Sequence, residues 1–228
     1  MYVRKRTYPR RPTGANPLRL ILALGMAAFA VISFLGSKQF NPFTGQDQYI
    51  NITVEQEIAI GLQAAPEMAA QYGGLEPNPN YQKLVDQVGQ TLVANSIAED
   101  SEYPFDFYVL ADPYTVNAFA LPGGQIFVTR GLIDELETEG QLAAVLSHEM
   151  VHVLGRHGAE RIAATQLTQG LTGAVLVASY DPNNPSSQQV AQMAVLVGQL
   201  VNMKFGRDDE IQSDTMGLEI MAQSGYDP

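Results

Sequence analysis

Apolar residues recur along the chain with changing period, and each change marks an element. Residues 20–35 run sixteen positions without a charge. That is a little short of the roughly 20 needed to span a bilayer, but flanking residues extend such a helix by snorkelling or local thinning. We expect a transmembrane helix there. Residues 37–50 read as a polar linker, broken at Asn41-Pro42 and Thr44-Gly45. Helical spacing follows over 54–72, where Ile58, Ile60, Leu62 and Ala65 supply an apolar face. It returns over 81–97 with Leu84, Val85, Val88, Leu92 and Val93, after a loop over 73–80. Neither helix carries chemistry, and both read as scaffold.

Period two appears next. Phe105, Phe107 and Val109 alternate with Asp106, Tyr108 and Leu110, the pattern of a strand. Residues 117–121 and 125–129 read as two further strands around the tight turn Pro122-Gly123-Gly124. A short helix is predicted over 131–136. Thr138 and Gln141 then form a capping box, opening a helix that runs to about residue 157. Its apolar positions (Leu142, Leu146, Met150, Val153 among them) cover nearly every direction around the axis, so it should be buried. Further helices are predicted over 159–179, over 188–204 and from residue 207, with a loop at 181–187. The apolar run 171–177 is too short to cross a membrane. The fold class is therefore α+β, mostly helical, with a small sheet of about three strands, antiparallel or mixed.

Charge sharpens the first element. Residues 1–36 hold Arg4, Lys5, Arg6, Arg10, Arg11 and Arg19 and no acid, which leaves seven bases against all 24 acids in the remainder. Bases ahead of the apolar run place the N-terminus in the cytoplasm and the body across the membrane, periplasmic or extracellular in a bacterium. Gly36-Ser37-Lys38 is a poor signal-cleavage site, so we favour an uncleaved signal anchor over a secreted, processed form. An acidic body with scattered bases excludes nucleic acid as a partner. The chain has no cysteine, and so no disulfide or thiolate metal site. Nothing in the sequence specifies an oligomeric state.

The candidate chemistry is concentrated in residues 147–157, which contain all three histidines. At about 100° per helical residue, His148 and His152 stand about 40° apart, one turn above the other, with Glu149 beside them. His-Glu-x-x-His on a helix offers two nitrogen ligands to zinc and a carboxylate to take a proton from water. His157 lies about 180° from His148 on a continuing helix, so we read it as a helix-end residue rather than a ligand. A third ligand must come from elsewhere. Glu210 and Asp214 share a helical face that Gly217 continues without a side chain, a face suited to docking on the histidine helix. Glu210 is the preferred third ligand and Asp214 the acceptor for an imidazole N–H. Asp208 and Asp209 are alternatives.

His148-Glu149-x-x-His152, Glu210-x-x-x-Asp214 and the upstream stretch Asn117 to Gly124 together resemble the zinc metallopeptidase family that includes the CAAX prenyl protease, the heat-shock protease HtpX and the periplasmic BepA type. The resemblance covers residues 54–228 and implies a zincin-like domain over 51–228, truncated at its C-terminus, behind an anchor (1–36) and a linker (37–50). It implies one Zn2+ per chain on His148, His152 and Glu210, with Glu149 as general base and Asp214 orienting a ligand. It further implies a peptide-accepting edge containing Asn117, Ala118, Phe119, Ala120 and Gly124. The activity implied is zinc-dependent endopeptidase action on proteins at or near a membrane, in quality control. The rival reading is a zinc-stabilised chaperone or peptide-binding module with little proteolytic activity.

Overall fold

A computed structural model describes residues 17–179 and 205–228. The arginine-rich lead, the loop over 181–187 and the helix expected over 188–204 lie outside the described residues. Helix α1 (Pro17–Gly36) is 20 residues long, about 30 Å at 1.5 Å per residue. Strands β1 (Lys38–Asn41) and β2 (Gln46–Tyr49) pair antiparallel. Helices α2 (Val54–Gln71) and α3 (Pro79–Ala94) follow, then a 3-10 turn at Ile97–Asp100. Strands β3 (Asp106–Leu110), β4 (Ala118–Ala120) and β5 (Gln125–Thr129) precede α4 (Arg130–Glu135), α5 (Glu139–Leu154), α6 (His157–Ser179) and α7 (Arg207–Gln223).

The chain divides into two compact units. The first comprises Met1–Ser33 and Gln166–Val201. Within it, a Cβ at Gly170 of α6 would lie 2.6 Å from the Ala30 Cβ of α1, so the two helices approach through small residues. Leu18, Ile21, Leu24, Phe29 and Ile32 of α1 stay exposed. Among the described residues, α1 is the one helix long and apolar enough to cross a membrane.

The second unit, Phe34–Thr165 with Asn202–Pro228, holds the sheet and the histidines. Its sheet order is β3-β5-β4, with β3 parallel and β4 antiparallel to β5. The sheet is therefore mixed, and β4 is an edge. Central β5 is buried throughout. Helix α3, capped by Asn78 and opened by Pro79, packs Val85, Val88 and Leu92 into the core beside Phe107, Val109 and Ile126. Helix α2 starts at a Thr53/Gln56 capping box and crosses the β4–β5 turn. There Gly123, at φ 95°, faces the α2 backbone so closely that a Cβ would stand 2.4 Å from the Ile58 Cα.

Two local expectations change. Residues 37–50 are not an irregular linker but a hairpin. Its buried amides serve the end of α5: Asn41 Nδ2 donates to the Leu154 carbonyl at 2.8 Å and Gln48 Nε2 to the Gly155 carbonyl at 2.5 Å. These are among the carbonyls that a helix terminus leaves without partners, so the polar sequence of the hairpin serves packing. Helix α5 also stops earlier than expected. Gly155 caps it, Arg156 adopts φ 55°, and His157 begins α6 instead of closing α5.

Candidate metal centre

The site is a contact between α5 and α7. His148 and His152 project from the same side of α5 with their Nε2 atoms 3.1 Å apart. Glu210, in the first turn of α7, brings its oxygens to 3.5 Å from His148 Nε2 and 3.9 Å from His152 Nε2. The three ligand atoms fall within 4.8 Å of one another. Tetrahedral zinc with bonds of about 2.0–2.1 Å holds its ligands roughly 3.3 Å apart, so the spacing and the two-imidazole, one-carboxylate donor set both fit that ion. Asp208 and Asp209 are not part of the cluster.

Each imidazole is oriented through its other nitrogen. His148 Nδ1 lies 2.9 Å from Asp214 Oδ1. A carboxylate accepts, so Nδ1 donates and Nε2 keeps its lone pair for a metal. His152 is buried (5 % exposed), and burial, with His157 and His148 beside it, pushes its pKa down to about 3. It is therefore neutral at physiological pH, as a ligand must be. Its ring stacks on Phe205 at 4.2 Å between centroids.

Glu149 is almost fully buried between α5 and the sheet edge. Desolvation pushes its carboxyl up to about 7, opposed by His148 and by the Ala120 backbone N–H that it accepts, and aided by Glu210. A carboxyl poised near neutrality suits proton exchange with water.

Residues 79–228 match the family model described as Peptidase family M48. The chain belongs to peptidase family M48. It is 30% identical to the mitochondrial metalloendopeptidase OMA1 of Schizosaccharomyces pombe over 83% of this chain and 54% of that protein. It is 30% identical to the beta-barrel assembly-enhancing protease of Yersinia pestis over 85% of this chain and 40% of that protein. The protein of the same name from Escherichia coli K12 is 27% identical over 86% and 40%. The chain thus spans about half the length, or less, of these curated relatives.

Beside His148 lies a cleft of about 630 Å³. Val116, Asn117 and Ala118 form its strand wall, Ala144 and Val145 the α5 wall, Ser213, Leu218 and Met221 the α7 wall, and His148 and Glu149 reach into it. Of the residues expected at a peptide-accepting edge, Asn117 and Ala118 line this cleft, and Ala120 touches Glu149 through its N–H. Phe119 stacks on Phe127 of β5, 5.1 Å between centroids. Gly124 is buried at the β4–β5 turn, where a Cβ would meet the Pro104 carbonyl at 2.9 Å, and lines no part of the cleft.

The α7 wall was not legible in the sequence, because Ser213, Leu218 and Met221 are five- and three-residue steps on a helix with no apolar stripe. The Arg156 clamp was missed as well. Its guanidinium bonds Glu57, which is 1 % exposed, along with Gln39 Oε1 and the Ile52 carbonyl. One side chain thus ties α2 and the hairpin to the bend between α5 and α6. In the sequence its neighbour His157 gave only a helix-end signal.

Proposed function

We propose that this chain is the catalytic part of a zinc-dependent endopeptidase that hydrolyses proteins at or near a membrane. The observation that carries the reading is the convergence of His148, His152 and Glu210 beside a buried Glu149 that touches the sheet edge. Bound by those three residues, a zinc ion supplies Lewis acidity that polarises a scissile carbonyl and acidifies water. The chain's own residues do the rest. An extended substrate pairs along β4, whose outer edge has no strand partner among the described residues. Glu149 takes a proton from the attacking water as the C–O bond forms, then delivers it to the leaving amine as the C–N bond breaks. Asp214 holds the His148 ring in place.

Helix α1 is the proposed anchor, with the arginines ahead of it cytoplasmic and the catalytic unit on the far side. The relatives named for mitochondrial endopeptidase action and for barrel-assembly enhancement support a role in membrane protein quality control. Cleavage of casein, or of the chain itself, with zinc and with chelator tests the activity. Glu149→Gln should retain zinc and lose cleavage. Undiminished cleavage in that variant sinks the assignment. Zinc-dependent holding of unfolded protein without cleavage by the unmutated chain establishes the chaperone reading instead.

A further inference from the structure

His157 takes no part in the ligand cluster, yet it is 1 % exposed and its two ring nitrogens both have partners. Nδ1 lies 2.9 Å from His152 Nδ1 and Nε2 lies 2.9 Å from Gln212 Oε1 on α7. We propose that His157 is a positioning residue that sets the tautomer of His152, and that Gln212 in turn sets the tautomer of His157. This rests on the reading of His148, His152 and Glu210 as a metal site, but not on peptide cleavage.

Which groups can donate decides where each proton sits. An amide oxygen only accepts, so His157 Nε2 carries its proton. A neutral imidazole protonated there has its lone pair on Nδ1. His152 Nδ1, facing that lone pair, must donate. His152 Nε2 is then left unprotonated, and it is the atom that stands 3.1 Å from His148 Nε2. Had Gln212 presented its amino group instead, every proton would shift by one position and His152 Nε2 would carry a hydrogen, unable to bind metal. The direction of the amide and the convergence of the two Nε2 atoms are separate observations, and they agree. Both rings are buried, 1 % exposed for His157 and 5 % for His152, and they meet directly at 2.9 Å.

The bend between α5 and α6 exists in the form the relay requires. On a continued helix His157 would stand about 140° around the axis from His152. Arg156 at φ 55° swings it back over the end of α5. Gly155 makes room for the ring there: a Cβ at that position would lie 2.5 Å from His157 Nε2. Helix α7 therefore orients both imidazoles, His148 directly through Asp214 and His152 through Gln212 and His157.

The three histidines make the test direct. In the zinc-loaded full chain with 15N-labelled histidine, His148 and His152 should show Nδ1–H and metal-bound Nε2. His157 should show Nε2–H and no metal-bound nitrogen. A His157 protonated on Nδ1, or ligating zinc, overturns the proposal. Zinc affinity by chelator competition supplies a second readout. His157→Phe, which fills the space without an acceptor, should weaken it about 10- to 100-fold. His157→Asn, smaller but able to place an oxygen near the Nδ1 position, should stay within a few-fold of the unmutated chain. A purely structural His157 gives the reverse order, because phenylalanine packs better. Should His157→Phe not fold, half-buried Gln212 carries the same comparison: Gln212→Met should weaken zinc binding and Gln212→Glu should not, and equal behaviour of the two overturns the relay. Absence of zinc binding by the unmutated chain would instead remove the metal reading itself.

Discussion

Gly217 of α7 lies against the backbone of His148: a Cβ there would stand 3.3 Å from the His148 nitrogen and as close to Ser147 Oγ. This contact sets the depth at which α7 docks, and with it the distance from Glu210 to the histidines. Alanine would press on the α5 backbone by a few tenths of an ångström, and a branched side chain would hold the helices apart. Gly217→Val should cost about 1–3 kcal/mol of stability and weaken zinc binding, while Gly217→Ala should do less of both. Thermal unfolding with and without zinc measures each. Unchanged zinc affinity in the valine variant would show that Glu210 does not depend on this docking.

Asp214 should matter for the metal and little for the fold. Its side chain is largely exposed, 73%, so removing it leaves no cavity. Asp214→Ala frees the His148 ring to rotate and should lower zinc affinity about 10- to 100-fold. The melting temperature of the chelated protein should barely move. A large drop in that temperature would assign Asp214 to stability instead.

The Glu57–Arg156 pair should behave as a buried charge pair. Burial raises the Glu57 carboxyl, while Arg156 and the Tyr103 hydroxyl hold it down. Removing one partner strands the other, so Arg156→Met should destabilise by about 3–5 kcal/mol. Adding Glu57→Gln should recover part of that loss. Additive losses in a double-mutant cycle by urea denaturation would argue against coupling.

Glu149 predicts a pH dependence in the chelated protein. Its folded pKa of about 7 exceeds the ordinary 4.5, so between those values the folded state binds more protons than the unfolded one. Stability from this group is therefore intact below pH 4.5 and lost as pH rises through 7. His152, lowered to about 3 from 6.5, acts oppositely and loses stability as pH falls below 6.5. Comparing the unmutated chain with Glu149→Gln cancels that contribution. The glutamine variant should gain on the unmutated chain from near zero at pH 4 to about 3 kcal/mol above pH 7. A gap that does not change with pH would show that Glu149 is not desolvated.

What could be read from the sequence was local. The 3.6-residue period puts His148 above His152 and Glu210 in line with Asp214, whatever surrounds them, because neighbours four apart on a helix always share a face. The same holds for the capping box at Thr138 and for the alternation at Phe105, Phe107 and Val109. These signals were sufficient for an α+β class and a candidate donor set.

The tertiary structure decided what depends on partners far away in the chain. The hairpin of residues 38–49 was hidden because its strands are polar, and the partners of its buried amides, the carbonyls of Leu154 and Gly155, lie more than a hundred residues away for Asn41 and Gln48. The parallel pairing of β3 with β5 joins strands that are not consecutive in the chain, since β4 lies between them in sequence and at the edge in the sheet. His157 shows the limit most plainly. Counting along a helix turns it away from the other histidines, but one non-glycine residue in a left-handed conformation, Arg156, turns it back. That conformation costs energy locally and is held by bonds to Glu57, Gln39 and Ile52, about a hundred residues away, where no local pattern can register it.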